Sequence, residues 1–140
     1  MPIEVPEHAL RQAGLRATRQ RLTVLEALRG REESVTAQDL HMELRQAGEP
    51  VGLTTVYRTL AALAEADFLD TFNREGELAF RLCGDRHHHH LVCETCNRVE
   101  EITADEVERW VNEVAAAHGF AVTGHRADIF GVCSDCRAAR

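Results

Sequence analysis

Two Cys-x-x-Cys pairs, Cys93/Cys96 and Cys133/Cys136, carry the clearest chemistry in this chain. Four thiolates at tetrahedral geometry make a closed structural zinc site. A lone Cys-x-x-Cys also serves thiol redox chemistry, but that use goes with a βαβ pattern, and neither pair sits in one. The stretch between the pairs exceeds a compact zinc ribbon and has room for a helix and a strand. The site would therefore staple the two ends of one unit, and zinc binding would form part of that unit's folding free energy. Just before the first pair stand His87, His88, His89 and His90. Side chains alternate between the two faces of a strand. His88 and His90 then face one way, and His87 and His89 the other. The run reads as two pairs of ligands, not as one polyhistidine cluster. Cys83 stands apart as a fifth cysteine. His8, His41 and His118 read as ordinary surface or core histidines.

Helices and then strands must position these groups. Thr18 caps a helix carrying Leu22, Val24, Leu25 and Leu28. Thr36 with Asp39 has the spacing of a capping box and opens a helix with Ala37, Leu40, Leu44 and Ala47 on one side. Gly48 and Pro50 end it. A third helix, LTTVYRTLAALAEA, places Leu53, Val56, Leu60 and Leu63 on its apolar face. Its polar face holds Thr54, Thr55, Tyr57 and Arg58. Hydroxyls bind phosphates, and an arginine forks onto a guanine edge. The period then changes to two, and residues 68–82 read as a β-hairpin turning at Asn73-Arg74-Glu75-Gly76. Helices followed by a hairpin describe a winged helix-turn-helix, in which the third helix is the recognition helix. Residues 84–90 read as a linker. Beyond it come short strands around the first Cys pair and a helix from Thr103 to His118, with Thr103 and Glu106 at capping-box spacing. Its apolar face is Val107, Trp110, Val111, Val114 and His118. A long strand, FAVTGHRADIF, then leads to the second pair. The fold class expected is α+β.

Composition narrows the function. At 140 residues, 44% hydrophobic and 28% charged, the chain reads as globular. No apolar run approaches the roughly 20 residues that span a bilayer. The start, MPIEVPEHAL, lacks the pattern of a signal peptide, so a cytoplasmic protein is expected. Structural disulfides are rare in that compartment, which favours metal for the cysteines. The formal net charge of -7 runs against a basic nucleic-acid footprint. The charge is uneven, however, because RQAGLRATRQR at 11–21 is rich in arginine and has no acid.

Several stretches together resemble the ferric uptake regulator (Fur) family: GLRATRQR at 14–21, TAQDLH at 36–41, GLTTVYRTL at 52–60, HHHHLVCETC at 87–96 and CSDC at 133–136. The resemblance spans nearly the whole chain in order and is strongest to the zinc uptake regulator branch of actinobacterial type. It implies a winged-helix DNA-binding domain at 1–83, a hinge at 84–90, and a small α/β dimerisation domain at 91–140 with structural zinc. It implies a homodimer that binds a palindromic operator when metal-loaded and represses metal-uptake genes, with two to three zinc ions per chain. Tyr57 and Arg58 would read DNA with Thr54 and Thr55 nearby. Arg16 would approach the minor groove, and Arg19 and Arg21 would contact phosphates.

The resemblance also assigns partners to the histidine pairs. His88 and His90 join Asp70 and Cys83 in a regulatory hinge site. His87 and His89 join Glu108 and His125 in a second site, with Glu106 as the neighbouring alternative ligand. A thiolate with imidazoles and one carboxylate suits Zn²⁺ better than Mn²⁺ or Fe²⁺. Iron- and peroxide-sensing relatives carry a histidine shortly before TAQDL, where this chain has Glu33-Ser34. An iron- or manganese-responsive regulator is the runner-up. A zinc deaminase is disfavoured, since no proline precedes either Cys pair as its P-C-x-x-C signature requires; no enzyme activity is expected.

Overall fold

Thr18 and Thr36 each start a helix by the same device. The structure, a computed structural model, describes residues 8–83 and 87–139. The chain divides into two units, Met1–Asp85 and Arg86–Arg140. Residues 84–86 of the expected linker lie outside the described residues.

The first unit begins with α1 (His8–Gln12) and α2 (Arg19–Leu28). The Thr18 hydroxyl accepts the Arg21 N–H at 3.3 Å and caps α2. β1 (Val35–Thr36) runs directly into α3 (Ala37–Gln46), where the Thr36 hydroxyl accepts the Asp39 N–H at 3.2 Å. These caps satisfy donors that a helix start leaves without partners. α3 ends in a Schellman motif. Gly48 takes φ +79, its N–H reaches the Arg45 carbonyl, and the Glu49 N–H reaches that of Leu44. The chain thereby turns into α4 (Leu53–Glu65) within a few residues.

α4 buries Val56, Thr59, Leu60 and Leu63. Leu53 differs from expectation: it is 40% exposed, because the first residue of the helix lies beyond the core that α2 and α3 supply. β2 (Leu69–Arg74) and β3 (Glu77–Leu82) pair antiparallel through a two-residue turn. Glu75 and Gly76 both take positive φ, 52 and 89, as a type I′ hairpin requires. The two-residue β1 adds a third strand on the far side of β3, which the sequence pattern did not reveal. Helix-turn-helix followed by a short sheet is a winged helix. Its core joins Leu10, Leu28, Leu40, Leu60, Leu63 and Phe80. Phe80 is among the largest fully buried side chains. Phe80→Ala is expected to lower this unit's stability by about 3–5 kcal/mol, read as a lower urea midpoint.

The second unit holds β4 (His89–Cys93), β5 (Val99–Ile102), α5 (Asp105–Ala117), β6 (Asp128–Gly131) and α6 (Ser134–Ala138). The sheet order is β5-β4-β6, with β4 antiparallel to β5 and parallel to β6. Two expectations are corrected here. Ala104, not Thr103, is the N-cap of α5, and no side chain caps it. Three acids in the first turn, Asp105, Glu106 and Glu108, favour that end electrostatically instead. The long strand expected at 120–130 is paired only at Asp128–Gly131. Alternation makes a segment fit to be a strand, but among the described residues no strand lies opposite 120–126, and Ala127 has only its carbonyl bonded to the His90 N–H.

This unit is thin inside. None of α5 is buried. Val92, Cys93 and Val99 are its buried apolar side chains among the described residues, with His89 and His90 beside them. Trp110, Phe120, Ile129 and Phe130 are more than half exposed. No helix among the described residues is long and apolar enough to cross a membrane.

Candidate metal centres and nucleic-acid interface

The four paired cysteines converge from the β4–β5 turn and the start of α6. Cys93 Sγ lies 3.9 Å from Cys136 Sγ, and Cys96 Sγ 3.9 Å from Cys133 Sγ. All four sulfurs fall within 4.8 Å of one another. Sulfurs at 2.3 Å from a tetrahedral zinc would stand about 3.8 Å apart. Backbone N–H groups of Cys133 and Cys96 point at Cys93 Sγ, at 3.4 and 3.5 Å. They hold the Cys93 thiol down at about 5, while neighbouring sulfurs, Cys133 first, push Cys136 up to about 12. Negative charge on one sulfur thus keeps the proton on another. Four thiolates can coexist at this spacing only around a cation, so the donor set fits zinc.

β4 resolves the histidine run. His89 and His90 open the strand, whereas His87 and His88 precede it. The alternation nevertheless holds in space. The His87 and His89 rings lie 4.9 Å apart, and the His88 and His90 rings 4.7 Å apart. On the first face, α5 supplies Glu108. Its Oε1 lies 2.6 Å from His89 Nε2 and 3.0 Å from His87 Nε2, and its Oε2 lies 2.8 Å from His125 Nε2. The structure brings these four expected residues together, their ligand atoms all within 4.8 Å. Glu106 is exposed and belongs to no such group among the described residues. Hydrogen bonds from His89 and then His125 hold the Glu108 carboxyl down at about 2. An ionised carboxylate facing three imidazole Nε2 atoms fits a divalent cation of the zinc type.

The remaining expected ligands are divided between the two units. In the first unit Asp70 lies on β2 and Cys83 follows β3. Cys83 is 7% exposed. Burial first, then its bond to Asp70, push the thiol up, while Arg81 Nη1 approaches its sulfur at 3.2 Å. In the second unit His88 and His90 share a sheet face on which His90 Nδ1 lies 2.8 Å from Asp128 Oδ1. Spacing did not single out Asp128, because its approach depends on the register of β4 against β6.

On α4 the polar residues fall opposite the core. Thr54, Tyr57 and Arg58 are exposed, Tyr57 by 52%, and Thr55 is half-buried. Arg16 and Arg19 are exposed. Arg21 Nη1 donates to the Arg16 carbonyl at 2.9 Å, so part of its guanidinium fixes the loop that carries Arg16. Gln20 Nε2 donates to the Pro50 carbonyl at 3.3 Å and ties α2 to the turn before α4.

The ferric uptake regulator family matches residues 12–130. The chain belongs to this family. It is 48% identical over 127 residues to the zinc uptake regulation protein of Mycobacterium tuberculosis (strain H37Rv), covering 90% of this chain and 98% of the relative. It is 40% identical over 133 residues to the ferric uptake regulation protein of Escherichia coli K12, covering 92% and 90%. Among solved structures, the Vibrio cholerae ferric uptake regulator matches with TM-score 0.73 at 35% identity, over 91% of this chain and 98% of that one. A zinc uptake regulator complexed with zinc and DNA matches with TM-score 0.71 at 30% identity, over 95% and 91%. The expected fold class, a winged helix followed by a small α/β domain, holds. Membership in the Fur family makes the chain a transcription regulator and not an enzyme.

Proposed function

We propose that this chain is a zinc-responsive repressor that binds palindromic operator DNA as a zinc-loaded homodimer and controls metal-uptake genes. The observation that carries the metal assignment is the buried Cys83 thiol bonded to Asp70. Sulfur in a regulatory set favours zinc over iron or manganese. The 48% identical relative is named for zinc uptake regulation, in agreement with that choice. Asp70 and Cys83 would close on zinc with His88 and His90, across the segment at 84–86. His87, His89, Glu108 and His125 would hold a second ion and the four paired cysteines a structural one, giving two to three per chain.

Asp70 and Cys83 of the first unit and His88 and His90 of the second would be joined by a shared zinc, which would fix the angle between the units. Operator half-sites have a fixed spacing, and two recognition helices enter successive major grooves only at a matching angle. These ligands would favour the closed arrangement because zinc would bind that arrangement more tightly. It would also offset the charge of Asp70 and the Cys83 thiolate in a chain of net charge -7. The exposed apolar side chains Trp110, Val114, Phe120 and Ile129 would meet the second copy, since contiguous apolar surface marks an interface. The work of this regulator would be done in the cytoplasm, where its operator is.

Thr54, Thr55, Tyr57 and Arg58 would face the operator, with Arg16 at the minor groove and Arg19 and Arg21 at phosphates. Arg58→Ala is expected to weaken specific binding about 10- to 100-fold, a fork to a base edge being worth about 1–3 kcal/mol, with less effect on non-specific DNA. Fluorescence anisotropy on operator and scrambled duplexes checks it. The metal is tested by the same assay against buffered free Zn²⁺, Fe²⁺ and Mn²⁺. Zinc should activate binding at the lowest free concentration; activation by iron or manganese alone would favour the iron- or manganese-responsive reading.

A further inference from the structure

We infer that Asp128 is a positioning residue that holds the His90 ring by Nδ1 and turns Nε2 toward the metal. The inference rests on the reading of His90 as a zinc ligand, and concerns what prepares that ligand.

The parallel register sets His90 opposite Asp128, and opposing residues in a sheet present their side chains on one face. His90 Nδ1 lies 2.8 Å from Asp128 Oδ1. Arg126 Nε donates to the other oxygen, Asp128 Oδ2, at 3.1 Å. The carboxylate is thus gripped on one side and offered to the imidazole on the other. Both partners are well buried, with side chains 5% and 13% exposed for His90 and Asp128. A neutral imidazole has one N–H and one lone pair, and an ionised carboxylate only accepts. The proton therefore resides on Nδ1 and the lone pair on Nε2. A carboxylate behind a metal-binding histidine fixes its tautomer and raises its basicity.

The histidines of the other face lack this arrangement. On the opposite face of β4, the buried His89 Nδ1 has no hydrogen-bond partner, and its Nε2 is set by Glu108, itself an expected ligand. On that face His87 and His89 meet a carboxylate of their own proposed ligand set, whereas the His90 ring is set in advance by one outside the proposed sets. This marks its face as the one prepared before metal arrives.

The test compares Asp128→Ala, Asp128→Asn and His90→Ala with the unaltered protein, all retaining the four-cysteine zinc. Zinc affinity is measured by competition with a chromophoric chelator, and ring protonation by ¹H–¹⁵N correlation of the imidazoles. Asp128→Ala should weaken the His90-dependent zinc by about 10- to 100-fold and remove the single-tautomer Nδ1–H signal of His90. Asp128→Asn, which can still accept a hydrogen bond, should restore most of the affinity and the signal. If His90→Ala abolishes that zinc while Asp128→Ala leaves affinity and signal unchanged, the positioning role is overturned and the ligand reading stands. If Asp128→Asn is as weak as Asp128→Ala with the tautomer intact, the role is also overturned. If His90→Ala leaves zinc unchanged, His90 is no ligand and both readings fall.

Discussion

Cys96→Ser is expected to unfold the second unit while leaving the first folded. Urea unfolding followed by circular dichroism should lose the contribution of α5, and the single tryptophan, Trp110 on that helix, should report the unfolded state without denaturant. The expectation follows from how little else holds this unit together. α5 has no fully buried residue, and Val92, Cys93 and Val99 are the buried apolar side chains among the described residues. Burying an aliphatic side chain stabilises by about 1.5–3 kcal/mol, which two valines cannot raise to the cost of ordering so many residues. Structural zinc in small domains contributes about 10–16 kcal/mol of apparent binding free energy. The first unit has its own core around Phe80 and Leu60, so its transition should survive at an unchanged midpoint. Strong chelation of the unaltered protein should reproduce the effect. A second unit that stays folded with this zinc removed would show that association of the exposed apolar face, not metal, supplies its stability.

Cys83→Ser is expected to do the reverse: the protein stays folded and the zinc response disappears. Operator affinity in saturating zinc should fall to the zinc-free level. Coupling between two sites typically amounts to about 5- to 150-fold, so a loss in that range is expected by anisotropy titration. Cys83 is buried beside Asp70 and Arg81, both able to hydrogen-bond a hydroxyl. Serine therefore leaves no orphaned polar group and should cost little stability. A serine oxygen is a poor substitute for a thiolate on zinc. Unchanged zinc activation would remove Cys83 from the switch and leave His87, His89, Glu108 and His125 as the remaining candidates.

The elements that depend on local signals were legible. Thr18, Thr36 and Gly48 mark helix ends because each acts on backbone groups within its own turn. The Glu75-Gly76 hairpin is likewise local. The alternation of the histidine run could be read because strand parity needs no partner. Tertiary effects were not legible. Leu53 has the right period but lies past the edge of the core. Thr103 has the right spacing, yet the helix begins one residue later. Residues 120–126 alternate correctly, but among the described residues no strand lies opposite them. Asp128 needed the β4–β6 register to become visible beside His90.

The scant interior of the second unit imposes a sequence of events on the life of the protein. If the four cysteines hold the fold, they must be filled before any sensing can occur, and must stay filled when the cell is starved. A repressor in its released state is then not a metal-free chain but one that has kept its first ion and surrendered the others. The affinities must be graded, with the scaffold ion bound far more tightly than the signalling ion. Each newly made chain consumes an ion before it can report a shortage, so synthesis of the sensor itself draws on the pool it measures.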